Sequence, residues 1–196
     1  MDLAIEGGFG DSVLGAQSVF RALMDALSRP GVPQALGSFV VPPAPLTADL
    51  GAVALTMCDH DATLWLDPVL AISPAVGAWL QFHAGVPLVT DPAAAQFALV
   101  SDAALLPPLS SYAQGTDEYP DRSTTIVLAV SGAPRPYRLV GPGIKDYLVT
   151  DLALPSSDFL GQWAENRARF PRGIDLLLVG DGRVTGLPRT TRISEV

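Results

Sequence analysis

The residues best suited to chemistry lie near the end of the chain, in the run Leu187-Pro188-Arg189-Thr190-Thr191-Arg192. A guanidinium presents a planar fork of N–H donors, and hydroxyls with free backbone amides can complete a cradle for a phosphate or phosphonate group. The run therefore predicts that Arg189, Thr190 and Thr191 bind an anionic ligand. Two alternatives stay open, namely a solvated C-terminal tail and a contact between subunits through Arg189.

The charge of the chain reverses over its last thirty residues. Residues 167–196 hold six of the twelve basic side chains and only three acids, although the whole chain carries a formal net charge of −8. All the bases except Lys145 are arginines, and Arg21 is the second arginine expected to bind an anionic ligand. Because nucleic-acid phosphates repel a strongly acidic surface, no nucleic-acid partner is expected, and only a local basic site suits an anion.

Two further segments could contact a ligand. His83 ends a predicted helix, where the helix dipole favours a protonated imidazole, but the same position suits a histidine of the core or of an interface. Gly141 and Gly143 flank a proline, and glycines let backbone amides approach a ligand closely. The same two glycines would also serve a tight exit from a strand. No catalytic acid, base or nucleophile constellation is evident.

We expect neither a metal site nor a cofactor. Cys58 is the only cysteine, so the chain alone cannot form a disulfide, an iron–sulfur cluster or a zinc ribbon. The run Cys58-Asp59-His60-Asp61 resembles a metal cluster, but adjacent residues of a helix or strand point in different directions. Lys145 stands beside Asp146, which favours the charged ammonium and argues against a Schiff base. The glycine patterns of the two common nucleotide-binding folds are also lacking.

Hydrophobic periodicity predicts helices that alternate with short strands. The first helix is expected over residues 12–28, with its buried face formed by Ala16, Phe20, Leu23, Met24 and Leu27. Further helices are expected after the cap Thr47, between Ser73 and Gly85, and over 156–169. Strands are expected at 63–66, 87–90, 96–100, 124–130, 137–140, 174–179 and 183–187. Residues 137–140 are expected to pair with 124–130, and the last two strands to form a hairpin.

This pattern predicts an α/β fold with a mixed sheet between helices, a three-layer α/β/α sandwich. The length of 196 residues predicts one domain over 1–196, since the chain shows no repeat and no composition break that would split it. Residues 68–90 contain no Asp, Glu, Lys or Arg, but three prolines and two glycines divide them, so a membrane span is not expected. No signal peptide is visible at the start, and a cytoplasmic location is therefore expected.

Seven short blocks occur in a fixed order between about Gly8 and Thr191. They read FRALMDALSRPG (20–31), DHDATLWL (59–66), FHAGVPL (82–88), GTDEYP (115–120), LVGPGI (139–144), FPRGID (170–175) and PRTT (188–191). In these blocks the chain resembles the PhnH family, a subunit of the bacterial carbon–phosphorus lyase system for phosphonate breakdown. Seven blocks in order are far more specific than any one of them.

The resemblance implies an α/β/α sandwich similar to pyridoxal-phosphate-dependent transferases but without their cofactor site, and association as a homodimer. It also implies assembly with PhnG-, PhnI- and PhnJ-like subunits into a core complex. That complex forms alpha-D-ribose 1-methylphosphonate 5-triphosphate from ATP and methylphosphonate in organic phosphonate catabolism. In such complexes the nucleosidase centre is attributed to the PhnI-like subunit, and radical cleavage to the PhnJ-like subunit with its iron–sulfur cluster.

The chain itself is then expected to be a non-catalytic or co-catalytic subunit of this transferase, with no catalytic residue to assign. Two alternatives stay open. One is an arginine-based module that binds a nucleotide or phosphonate, and the other is an independent small-molecule enzyme.

Overall fold

A computed structural model describes residues 6–37, 40–156 and 158–196, and within these ranges helices and strands alternate along most of the chain. The α-helices are α1 (Ser12–Ser28), α2 (Ala48–Met57), α3 (Pro68–Ala71), α4 (Pro74–Ala84) and α5 (Phe159–Ala168). The strands are β1 (Gln34–Ala35), β2 (Leu64–Leu66), β3 (Leu88–Val89), β4 (Phe97–Val100), β5 (Thr125–Ala129), β6 (Arg135–Val140), β7 (Leu148–Leu152), β8 (Asp175–Gly180), β9 (Arg183–Leu187) and β10 (Arg192–Glu195).

The strands form two sheets. The larger has the order β1-β9-β8-β5-β4-β2-β3, in which β8, β5, β4, β2 and β3 run parallel, β9 pairs antiparallel with β8, and β1 pairs antiparallel with β9. The smaller is antiparallel with the order β10-β6-β7. The predicted α/β class, the mixed sheet and the hairpin of β8 with β9 are therefore confirmed.

Local capping explains where the helices begin and end. The Asp11 carboxylate accepts hydrogen bonds from two amides of the first turn of α1, at 3.0 and 2.9 Å. Thr47 Oγ1 caps α2 by accepting from the Leu50 amide at 3.4 Å. Gly85 ends α4 in the left-handed conformation, with φ 64°, which glycine adopts at little cost. The predicted bounds of α1, the cap Thr47 and the stop at Gly85 are confirmed.

The central strands are buried on both faces, and alternate residues enter two separate cores. Along β5, Val127 joins the core formed with α1, α2 and α4, whereas Ile126 and Leu128 join the core formed with α5 and the small sheet. Trp79 of α4 is the largest fully buried side chain of the first core, and Trp163 of α5 that of the second. Helices thus cover one face, and one helix with a small sheet covers the other.

The expected pairing of residues 137–140 with 124–130 is wrong. Both edges of β5 are taken by parallel partners, β4 and β8, so β5 has no free edge for a hairpin partner. β6 pairs instead with β7 and β10. Neither of these two strands, nor the short helix α3, was expected from hydrophobic periodicity.

The expected buried face of α1 is also partly wrong. Leu23 is buried and Leu27 packs against the core as expected, but the other buried residues of the helix are Val19, Ala22 and Ala26. Phe20 is 48% exposed and Met24 38% exposed. Large side chains do not fit between α1 and β9 because the two elements lie very close together. A Cβ on Gly186 of β9 would be only 2.6 Å from the Ala26 carbonyl oxygen. So close an approach admits alanine and excludes the bulky side chains.

Residues 68–90 form α3, α4 and β3, each ended by a proline or glycine nearby. Among the described parts of the chain, no helix is both long and apolar enough to cross a bilayer.

Candidate functional site

The candidate residues do not gather into one site. Gly141, Thr190 and Thr191 meet where β6 ends, and Arg189 lies beside them within a separate group of hydrogen bonds. The remaining candidates, Gly143, Arg21 and His83, lie on other elements.

Arg189 is enclosed by bonds within the protein. Its side chain is 13% exposed, and its Nε and Nη2 donate to the two oxygens of the Asp175 carboxylate. Nη1 donates to the carbonyl oxygens of Pro120 and Pro171 at 2.9 and 3.1 Å, and Nη2 also donates to Ser123 Oγ at 2.7 Å. A guanidinium has five N–H groups. All five are used here, so Arg189 has no free donor for a phosphate.

Through these bonds Arg189 holds four segments together: the turn before β5, the turn before β8, β8 itself, and the chain that follows β9. The Arg189 backbone amide adds another bond between β8 and the chain after β9, because it donates to Asp175 Oδ1 at 2.7 Å. The predicted hairpin of residues 174–179 with 183–187 already indicated that Asp175 and Arg189 lie close together. With Leu176 opposite Leu187, Asp175 must stand opposite the first residues after β9.

Gly141 allows the end of β6 to pack on the turn before β10. A Cβ at Gly141 would lie 3.2 Å from the Thr190 carbonyl oxygen and 3.3 Å from Thr191 Cα. Thr191 is fully buried, and its carbonyl oxygen accepts from Trp163 Nε1 at 2.8 Å. Gly143, with φ 82°, lies so close to the end of α1 that a Cβ would be 2.3 Å from the Ser28 carbonyl oxygen. The geometry of both glycines is that of a tight strand exit.

His83 lies beneath the N-terminal segment rather than in an open cleft. Its ring centroid is 4.9 Å from that of Trp79, and a Cβ at Gly8 would lie 2.7 Å from its Cε1. Trp79 Nε1 fixes the same segment by donating to the Glu6 carbonyl oxygen at 3.1 Å. This is the packed position that the core or interface alternative describes.

Arg21 is the candidate whose side chain is open to solvent. It stands on the outer face of α1 at the edge of a shallow depression of about 550 Å³, which is lined by Ala16, Gln17, Phe20, Arg21, Met24 and Thr56. Within the described residues it forms no ion pair.

Asp67 is an important residue that the sequence patterns did not single out. It is fully buried, and its Oδ1 accepts from the amides of Val69 and Leu70 at 2.7 and 2.9 Å. Its Oδ2 accepts from the amide and the hydroxyl of Ser101, the latter at 2.6 Å. An aspartate directly before a proline at the end of an apolar strand is a helix-start signal that could have identified it.

Asp67 and Ser101 follow the neighbouring parallel strands β2 and β4. The chain continues from β2 to β3 on one side and from β4 to β5 on the other. Open α/β sheets usually bind ligands at such a switch point, outside the carboxyl ends of the strands. Here Asp67 and Ser101 are hydrogen-bonded to each other between the ends of the two strands.

The turn after α2 brings three potential metal ligands together. Asp59, His60 and Asp61 have ligand atoms within 4.8 Å of one another, and all three side chains are exposed. The expectation that adjacent residues diverge is wrong at this turn, because they do not lie on a helix or strand. Exposed acidic groups of this kind are common on protein surfaces, and we assign no ion to them.

Cys58 should be unreactive and should make the fold sensitive to alkali. Burial, with a smaller contribution from Asp59, raises the pKa of its thiol from 9.0 to about 12. The native state therefore keeps a proton that the unfolded state releases. This contribution to stability is complete below pH 9 and is lost as the pH rises towards 12, by roughly 1.4 kcal/mol per pH unit.

Urea denaturation of the wild type and Cys58→Ala at pH 8 and pH 10.5 checks this prediction. The variant should lose less stability between the two values. Burial also raises the pKa of the Tyr112 hydroxyl, aided by Asp67, so the variant keeps part of the alkaline loss. Equal losses in both proteins would contradict the assignment to Cys58.

The fold and these clusters define an α/β protein whose polar groups mainly join its own segments. Comparison with known proteins then gives its family. The model of the family described as bacterial phosphonate metabolism protein (PhnH) matches residues 7–194. The chain therefore belongs to the PhnH family, and the resemblance carried by the seven blocks is confirmed.

Two relatives match along almost all of the chain. It is 47% identical over 190 residues to "Alpha-D-ribose 1-methylphosphonate 5-triphosphate synthase subunit PhnH" of Rhizobium meliloti (strain 1021), covering 95% of this chain and 94% of the relative. It is 33% identical over 180 residues to "Putative C-P lyase subunit protein HtxG" of Stutzerimonas stutzeri, covering 91% and 85%.

Proposed function

We propose that this chain is a subunit of a carbon–phosphorus lyase core complex. In that complex it supports formation of alpha-D-ribose 1-methylphosphonate 5-triphosphate from ATP and methylphosphonate, as a non-catalytic or co-catalytic subunit. Its similarity to two proteins named as subunits supports the proposal. So does the internal use of Arg189 and Asp67, since all five N–H groups of Arg189 are bonded within the protein and the Asp67 carboxylate is fully buried. PhnG-, PhnI- and PhnJ-like proteins are the partners.

The observation that carries the proposal is the 47% identity, over 95% of this chain, to a protein named as a subunit of that synthase. The outer face of α1 is in addition a surface suited to contact with another chain. Val13, Leu14, Phe20 and Met24 are exposed there, although the opposite face of the helix is packed on the sheet. Val13, Phe20 and Met24 follow helical spacing with Gln17 between them, so they form one stripe. Contiguous exposed apolar surface of this kind marks a contact with another chain.

A second copy of this chain is the partner that we assign to the stripe, which gives a homodimer. Antiparallel pairing of two α1 helices aligns their apolar stripes and opposes their dipoles. The depression beside Arg21 lies on this face and would be covered in the dimer.

The layering of the protein supports the finer fold assignment. α1, α2 and α4 form one layer, the mixed sheet the second, and α5 with the small sheet the third, as in a three-layer α/β/α sandwich. A relation to pyridoxal-phosphate-dependent transferases without their cofactor site is part of the same proposal. Lys145 is exposed beside Asp146, and an exposed ammonium lacks the desolvation that a Schiff-base lysine needs.

Co-purification tests the proposed function. The chain should elute as a stable complex with tagged PhnG- and PhnI-like proteins from the same source, and omission of the chain should lower product formation by the assembled complex. A chain that stays apart from both proteins at micromolar concentration would contradict the proposal.

Phe20→Asp should convert the homodimer to a monomer, because a carboxylate cannot be buried in the apolar stripe without a large desolvation cost. Light scattering coupled to gel filtration should show half the wild-type mass, and circular dichroism should show that the secondary structure is kept. Ile72→Asp is the matched control, since Ile72 is 80% exposed on another element. If Phe20→Asp kept the wild-type mass, the assignment of α1 to the dimer would be wrong.

A further inference from the structure

The small sheet turns one face outward, and that face combines arginines with apolar side chains. Arg138 and Val140 of β6 alternate with the fully buried Leu139, and all of Arg138, Val140, Val149 and Arg192 are exposed. Register places Arg192 opposite Val140 and Arg138 opposite Val149. Each arginine therefore has a valine as its neighbour across the strands. We call these four residues, together with Tyr147, the outer small-sheet face.

Tyr147 completes this face and orders one of its arginines. Tyr147 is 55% exposed, and the Arg138 guanidinium lies 4.3 Å from the centroid of its ring. A cation over an aromatic ring is attracted by the ring's quadrupole while its N–H groups stay free for a partner. The arginine is thus held in place without being neutralised.

The positive charge of this face is unpaired. Among the described residues, neither Arg138 nor Arg192 forms an ion pair. Asp151 lies on the same side of the sheet, opposite Pro136, and makes no bridge to either arginine. Two free guanidinium groups among apolar side chains stand out on a chain whose net charge is −8.

We infer that the outer small-sheet face docks a different protein, one that presents carboxylates around an apolar patch. Arginine and tyrosine among aliphatic side chains form the usual composition of an interface core. The face is the surface of a sheet, whereas sites for small molecules are concave. The inference rests on the proposed function, because it names the surface through which this chain joins another subunit of the complex.

A second copy of the chain does not fit this face. Pairing the face with itself would bring four guanidinium groups into one interface, with two Asp151 carboxylates to balance them. Like charges in an interface oppose association. The outer face of α1, with its apolar stripe, has no such restriction, so the two surfaces are assigned to different partners.

The test compares binding of the wild type and a charge-reversed variant to the assembled PhnG-, PhnI- and PhnJ-like subunits. Arg138→Glu combined with Arg192→Glu should weaken binding at least about 100-fold, because two attractive contacts become repulsive. The single changes Arg138→Ala and Arg192→Ala should each weaken it about 5- to 30-fold. Higher salt should weaken wild-type binding and have less effect on the double variant.

Arg183→Glu is the matched control, since Arg183 is an exposed arginine at the start of β9 in the other sheet. It should bind like the wild type. All variants should keep the wild-type melting temperature and the wild-type mass in the absence of partners. A folded double variant that binds partners as tightly as the wild type would overturn the inference and leave the proposed function intact.

Two further outcomes would also count against the inference. If the wild type itself failed to join the other subunits, the proposed function would fail and this inference with it. If tripolyphosphate bound the isolated wild type at micromolar concentration and not the double variant, the face would be a small-anion site rather than a docking surface.

Discussion

Replacing Arg189 with alanine is expected to lower the free energy of unfolding by about 3–5 kcal/mol. The change leaves the Asp175 carboxylate without its partner and removes hydrogen bonds to Pro120, Pro171 and Ser123. A single change thus removes the contacts that hold the four segments together. Urea denaturation followed by circular dichroism measures the loss, with the melting temperature as a second value.

One further variant separates the contribution of the planar guanidinium of Arg189 from that of its charge. Arg189→Lys keeps the charge but offers three donors in place of five, so it should recover only part of the lost stability. Arg192→Ala is the control, because Arg192 is exposed three residues away, and it should change stability by less than about 0.5 kcal/mol. If Arg189→Ala were as stable as the wild type but bound nucleotide more weakly in the complex, Arg189 would be the anion ligand that its sequence context suggested.

Replacing Asp67 with alanine should also cost about 3–5 kcal/mol. The carboxylate accepts four hydrogen bonds in the interior, and a buried donor left without an acceptor costs about 1–3 kcal/mol, although water entering the space satisfies some of them. Asp67 also joins the ends of β2 and β4 through Ser101, so its loss should loosen both strands. Hydrogen exchange should show faster exchange of the Ser101 amide than in the wild type.

Asp91→Ala is the matched control for Asp67. Asp91 is also an aspartate before a proline, but it is exposed and caps a short turn through one bond, from the Ala93 amide at 2.9 Å. Its replacement should cost about 1 kcal/mol, as is usual for a single capping bond. Asp67→Asn should fall between the two, since the amide keeps one oxygen but turns an NH2 group towards donors. If Asp67→Ala cost no more than Asp91→Ala, the central role of Asp67 would be refuted.

Much of the fold could be predicted because the signals act over a few residues. Asp11, Thr47 and Gly85 set helix ends through contacts within one turn, and Asp181-Gly182 forms the two-residue turn between β8 and β9. The family could also be predicted, since seven ordered blocks are a property of the sequence alone. The comparisons confirm it over residues 7–194.

The candidate site was less predictable, because the partners of its residues are distant in the chain. The sequence Arg-Thr-Thr suggests an anion site whether the N–H groups of the arginine are free or already bonded within the protein. Only the fold decides, by bringing Ser123 to Arg189 from 66 residues away. Asp67 shows the same limit, because its partner Ser101 lies 34 residues further along and on another strand.

The sequence by itself determined the family, the α/β class and the positions of most helices and strands, since periodicity, caps and turns are short-range properties of a chain. The tertiary structure alone decided which edge each strand pairs with, which face of α1 is buried and which arginines keep free donors. These depend on close approaches between distant segments, such as Gly186 against Ala26, and on the competition of β4 and β8 for the edges of β5. Burial and pairing are contacts of the folded chain, and short-range patterns do not contain them.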